Sequence, residues 1–194
     1  MKKPRLNAFW TDMPEEKKAR WRYTAGWLAL VVTLFTLVAV VSYLFTWQAD
    51  QSVVRDAGMM EKDLPVQNSG GKLGLRWGHF LVAECFGLAS LILLVFLAAL
   101  TVRLLLRRNI PLTRTLLRTL TGTFIASFLL AYIAPFFGLG TAFGCGPGGA
   151  CGATVVNWSE KLVGPIVTAI ILLALVCLWL FFVSPRFSAW ILSM

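Results

Sequence analysis

The sequence is poor in charge. Only 14% of its 194 residues are Asp, Glu, Lys or Arg, against about 25% in an ordinary soluble domain. Acids are scarcer than bases, 9 against 18, so the net charge is +9. His79 is the one histidine, and no metal-ligand companions accompany it in the sequence. Four cysteines (Cys85, Cys145, Cys151 and Cys177) are too few for a disulfide scaffold and lack the spacing of a zinc site. No segments of short alternating hydrophobicity are present, which excludes a membrane β-barrel. The Gly-rich stretch 138–152 has no Walker lysine and no Ser or Thr after one.

What the sequence has instead is apolar length. It is 58% hydrophobic, and that content is concentrated in four runs nearly free of charge. They lie at about 23–47, 77–102, 120–137 and 162–183. Crossing about 30 Å of hydrocarbon takes roughly 20 helical residues, and in lipid such a run must be helical to pair its own backbone. The predicted fold class is all-α integral membrane, a four-transmembrane-helix bundle. The first run is too long for a signal peptide, follows a charged tail, and has no clear small-x-small cleavage site.

Basic residues set the expected orientation. The tail 1–22 carries seven (Lys2, Lys3, Arg5, Lys17, Lys18, Arg20, Arg22), and the loop 103–119 carries five with no acid: Arg103, Arg107, Arg108, Arg114 and Arg118. The loop 48–76 has four basics, offset by Asp50, Asp56, Glu61 and Asp63, and the loop 138–161 has one, Lys161. Twelve against five places the tail and the middle loop in the cytoplasm and the other two loops in the periplasm. Four crossings then return 184–194, the start of a linker, to the cytoplasm. The Arg-rich loop is a topology and lipid-headgroup signal, since no nucleic-acid recognition motif accompanies it. Asp12, Glu15 and Glu16, followed by Lys17 and Lys18, suit a short helix on the membrane surface. Trp21, Tyr23 and Trp27 at one level, with Tyr43, Trp47 and Trp77 at the other, read as aromatic belts.

Few residues offer chemistry. Glu84 is the one ionisable residue well inside a run, either an intramembrane functional carboxylate or a snorkelling one. Cys145 and Cys151 share an outer loop and are a candidate periplasmic disulfide. Ala83 with Gly87, Gly122 with Ala126, and Ser127 with Ala131 are small residues at four-residue spacing, which favours close helix packing. The glycines of 138–152 read as a tight turn that lets backbones approach. No catalytic, cofactor-binding or metal-binding residue is predicted.

Several segments resemble the N-terminal membrane domain of the FtsK/SpoIIIE family of DNA translocases. They are Tyr43-Leu44-Phe45-Thr46-Trp47-Gln48-Ala49-Asp50-Gln51-Ser52, Phe86-Gly87-Leu88-Ala89-Ser90, and Gly148-Gly149-Ala150-Cys151-Gly152 with Trp158 and Gly164 after it. The basic return with Arg103, Arg107 and Arg108, then Pro111-Leu112, also fits. Cys145, Cys151 and the longer Gly-rich run depart from the family pattern.

The resemblance implies a membrane anchor and assembly domain acting in cell division and chromosome segregation. It would sit in the inner membrane at the septum, form a homo-oligomer (a hexamer in the family), and bind other division proteins as well as the bilayer. The ATP- and Mg-dependent motor, and with it any DNA contact, is expected downstream and has no counterpart within residues 1–194. Two alternatives remain beside it. A small membrane thiol oxidoreductase using Cys145 and Cys151 lacks a C-x-x-C pair. A transporter subunit using Glu84 shows no inverted repeat, interrupted helix with paired charges, or second polar site.

Overall fold

A computed structural model of the chain describes residues 13–56, 58–60 and 63–193. Every regular element among the described residues is a helix, with no strand. Helix α1 spans Glu15–Thr46 and is followed by the short α2, Gln51–Arg55. Helix α3 (Gly71–His79) runs through π-type turns at Phe80–Phe86 and a 3-10 turn at Gly87–Ala89 into α4, Ser90–Leu106. Helix α5 (Leu112–Ile133) ends in a 3-10 turn, Ala134–Phe137. Then come α6 (Gly149–Val163), α7 (Pro165–Val183) and α8 (Pro185–Leu192).

Four helical stretches are long and apolar enough to cross a membrane: Glu15–Thr46, Gly71–Leu106, Leu112–Phe137 and Pro165–Val183. Their outward side chains stay uncovered, as lipid-facing surfaces do. Ile166, Leu173 and Phe182 on α7 are 77%, 65% and 73% exposed. The bundle closes by antiparallel packing. Gly26 of α1 lies under Leu104 and Leu105 of α4, and Thr33 Oγ1 meets Thr101 Oγ1 at 3.2 Å. Gly122 of α5 lies under the Trp179 ring of α7. The end holding the start of α1, the connection Arg107–Pro111 and α8 is called proximal below, and the opposite end distal.

The helices outrun the apolar stretches that mark them. α1 begins at Glu15 rather than near Tyr23, so Glu15–Arg22 extends the span instead of forming a separate surface helix. The part of that expectation falling on Met1–Asp12 lies outside the described residues. α4 ends at Leu106 and α5 starts at Leu112, which shrinks the connection expected at 103–119 to Arg107–Pro111 and puts Arg103, Arg114 and Arg118 on helices. The reason is physical: charges mark where hydrocarbon ends, not where the hydrogen-bond ladder does. The stretch 138–161, read as a loop, contains most of α6, and the fourth span starts at Pro165. Gly164 (φ 84°, ψ 162°) turns the chain, and Pro165 opens the next helix at a position where its missing N–H costs nothing. The linker segment contains α8, whose first turn is capped by Ser184 Oγ accepting from Phe187 N at 3.4 Å.

The larger departure is in the second span, expected as one uninterrupted helix. Gly78 packs on the Ala39 carbonyl and Tyr43, while Thr101 meets Thr33. Ala39 and Thr33 are about 9 Å apart along α1, whereas a straight helix from Gly78 to Thr101 would cover about 35 Å. The chain therefore folds back between them. It does so at Gly87, whose φ of 64° and ψ of −141° suit no side-chain-bearing residue.

Candidate functional site

The break at Gly87 meets the second irregular stretch of the chain. Leu88 N donates to Pro147 O at 2.8 Å, and a Cβ on Gly87 would collide with the Pro147 carbonyl. Gly149, also at positive φ (69°), lies against the Cys85 carbonyl and Gly87 N, with 2.5 Å to each from a built Cβ. On the other side, Gly148 and Gly152 press against the backbone of Ser127 in α5. The freed polar groups find partners. Ser127 Oγ donates to Gly148 O at 2.6 Å, and Ser90 Oγ donates to Gly87 O at 2.7 Å. Non-helical backbone at membrane depth is tolerated only where protein buries and pairs it. Both conditions hold here. The carbonyls of Gly87, Pro147 and Gly148 are thus taken up within the protein.

Next to this junction, on the distal side, is a polar cluster. Tyr43 Oη and His79 Nδ1 are 3.0 Å apart, and Tyr43 Oη also donates to Phe143 O at 3.3 Å. His79 Nε2 lies 3.4 Å from Glu84 Oε1, with an Arg76 guanidinium nitrogen at 4.0 Å. Glu84 is thus not alone: its side chain is 44% exposed and faces Arg76 and His79 of the preceding turns. His79 and Glu84 are five residues apart, a spacing that points to different faces of an α-helix. The π-type turns at Phe80–Phe86, with i→i+5 bonding, bring them together. A cavity of about 210 Å³ opens beside the cluster, lined by Trp47, Arg55, Ala83 and Cys145 among others. Among the described residues no group of three or more His, Cys, Asp or Glu could hold a metal.

Cys145 and Cys151, the candidate disulfide, are not bridged in this structure. All four cysteines are free thiols. Cys145 borders the distal cavity, while Cys151 sits in the first turn of α6, within electrostatic reach of Cys85. The early turns of α6 are committed to the glycine junction, which fixes Cys151 there.

A second polar lock was not foreseen. Asp50, 1% exposed, accepts from Gln67 N (2.8 Å) and Asn68 N (3.0 Å) through its two carboxylate oxygens. Asn68 in turn donates from Nδ2 to Ala39 O at 3.1 Å and accepts from Gly70 N at 2.8 Å. Ser69 N donates to Ser42 Oγ at 2.9 Å. Together these bonds pin the extended segment 63–69 along the distal third of α1. Trp77, read as an interfacial ring, donates Nε1–H to Thr36 Oγ1 at 3.1 Å and so also joins two helices. The sequence shows Asp50 at the end of a run, where a buried acceptor and a solvated charge look alike.

The small residues lie at contacts. Ala83 and Gly87 are buried in the distal core, Gly122 faces Trp179, and Ala131 meets Gly148, with Ala126 partly buried beside them on α5. The five arginines do not form one patch. Arg103 donates to Ile110 O at 2.7 Å and Arg107 lies 5.7 Å over the Tyr23 ring, while Arg118 flanks the outer groove between α5 and α7.

Apart from the reversal at Gly164, the irregular turns that shape the distal half are built from the segments whose order along the chain is the most distinctive thing about the sequence. The 4TM region of DNA translocase FtsK/SpoIIIE matches residues 18–192, from the first turn of α1 to the end of α8. No curated protein and no solved structure shows a significant match. A match running through all four spans, both irregular stretches and the reversal at Gly164 makes this chain a member of the FtsK/SpoIIIE family, of which it carries the four-transmembrane region.

Proposed function

We propose that this region anchors and assembles a septal DNA translocase in the inner membrane during cell division and chromosome segregation. The observation that carries the proposal is the family match over residues 18–192. That region is a membrane domain and not a motor, which agrees with a bundle whose described residues spend their polar groups on internal locks.

In this reading both termini are cytoplasmic. Twelve basic residues in the tail 1–22 and the stretch 103–119, against five in the stretches 48–76 and 138–161, support that orientation. The ATP- and Mg-dependent motor, and through it the contact with double-stranded DNA, belongs to sequence beyond this region. Copies of the chain associate in the membrane, as a hexamer by family resemblance, and the distal surface is available to other division proteins.

The test is localisation together with assembly. A fluorescent fusion to residues 1–194, expressed in dividing cells, should concentrate at midcell, and cross-linking in native membranes should yield a ladder ending at six copies. Uniform membrane fluorescence with monomers alone would overturn the reading and leave the four-helix fold untouched.

A further inference from the structure

A second, independent feature lies at the proximal end. The first turns of α1, the last turn of α4 and the connection after it enclose a groove of about 890 Å³. It is lined by five cations, Lys18, Arg22, Arg103, Arg107 and Arg108, and by two carboxylates, Glu15 and Glu16. Lys18 Nζ bonds Glu15 Oε1 at 2.8 Å, so part of that negative charge is already answered. Arg22 and Arg107 stand 5.5 and 5.7 Å from the centroid of the same ring, Tyr23, which ties both guanidinium groups to this end of α1. Arg107 adopts a left-handed backbone (φ 54°) to end α4 there.

One donor beside this groove is unanswered. Arg22 Nε is buried and has no hydrogen-bond partner. A buried N–H without an acceptor is costly, and native structures contain few. Clustered guanidinium groups are what an oxyanion with several acceptor oxygens would complete, and a planar guanidinium meets a phosphate through two parallel bonds.

The position of the groove selects among phosphates. It sits where the charged turns of α1 give way to the apolar run at Tyr23, with Trp21, 62% exposed, and Leu104 on its wall. That is the depth of lipid headgroups, with an apolar wall for acyl chains. We propose that this groove is a binding site for an anionic phospholipid, with Arg22, Arg103 and Arg107 holding the headgroup phosphate. The site acts within a single copy of the chain and does not depend on septal function.

The test uses the full chain in neutral detergent, with native mass spectrometry of titrations against phosphatidylglycerol and phosphatidylcholine. Phosphatidylglycerol should be retained and phosphatidylcholine lost. At roughly fivefold per surface arginine, the double variant Arg22→Gln/Arg107→Gln should weaken retention by about twenty-five-fold. Arg114→Gln/Arg118→Gln removes the same charge from the same end, outside the groove, and should change it less than about twofold.

Equal losses in the two double variants would overturn the site in favour of diffuse attraction. So would equal retention of the two lipids. Displacement of phosphatidylglycerol by millimolar inorganic phosphate would overturn the lipid assignment in favour of a free anion. Circular dichroism checks that the variants fold. If Arg22→Gln/Arg107→Gln does not, Arg22→Lys keeps the charge but removes the planar guanidinium fork. A threefold or greater loss is expected there, and unchanged retention would overturn the site.

Discussion

The two halves of this bundle solve the same problem in opposite ways. In the distal half the backbone leaves the helical ladder at Gly87 and at 138–148, and each break is closed by a specific partner: Pro147 O, Ser127 Oγ or Ser90 Oγ. Asp50 and Asn68 are buried there with their acceptors filled. In the proximal half the helices are uninterrupted, the connection is short, and the cations line an open groove. Packing at one end is specified by backbone shape, and position at the other by charge. The distal half should therefore fail through stability and the proximal half through placement in the membrane.

That contrast is sharpest at Gly87. Gly87→Ala forces a Cβ into the Pro147 carbonyl at a left-handed position, and should lower stability by about 3 kcal/mol or more. Gly140→Ala, in the same half with only the Pro135 ring at 4.0 Å, should stay within about 0.5 kcal/mol. Unfolding in mixed micelles compares the two, and equal tolerance would remove the distinction between closed breaks and ordinary turns. Asp50→Ala strips the acceptor from two backbone N–H groups, for about 2–3 kcal/mol. It should also make a cysteine placed at Ser69 react faster with a polar maleimide. Trp77→Phe removes one interhelical bond to Thr36 and should cost about 0.6–1.7 kcal/mol in the same assay.

The smallest effect on stability, and the largest on placement, is expected from neutralising Arg103, Arg107, Arg108, Arg114 and Arg118 together. Melting should shift little, since surface charges contribute about 0–1 kcal/mol each. Reporters of membrane sidedness fused after Pro111 should become mixed. A variant with unchanged sidedness would break the assignment of placement to the proximal charges.

The parts legible in the sequence were those that depend on composition over some twenty residues: four spans and a lopsided charge. Hydropathy summed along a run does not register one dihedral angle. The apolar residues around Gly87 read as continuous helix, although only a glycine permits the reversal there. The pairing of His79 with Glu84 was hidden because a 3.6-residue period puts them on different faces, and a π-type turn is not marked by composition. Asp50 was counted as a loop charge because burial depends on Gln67 and Asn68 folding back over it. The segments Phe86–Ser90 and Gly148–Gly152 were noticed for their likeness to a family. The structure adds that they touch.

That contact bears on how the protein is made. The amino acids that close the break at Gly87 are synthesised only after the third span has been completed. At ordinary elongation rates the second span waits on the order of several seconds for Pro147 and Gly149 to emerge. During that interval Leu88 N has no partner from the rest of the chain. The nascent second span must either stay straight and reshape later or be held by the insertion machinery until the last third arrives. The bundle is thus completed from its C-terminal side, and a chain halted before Pro147 would contain three apolar spans without the architecture of the finished domain.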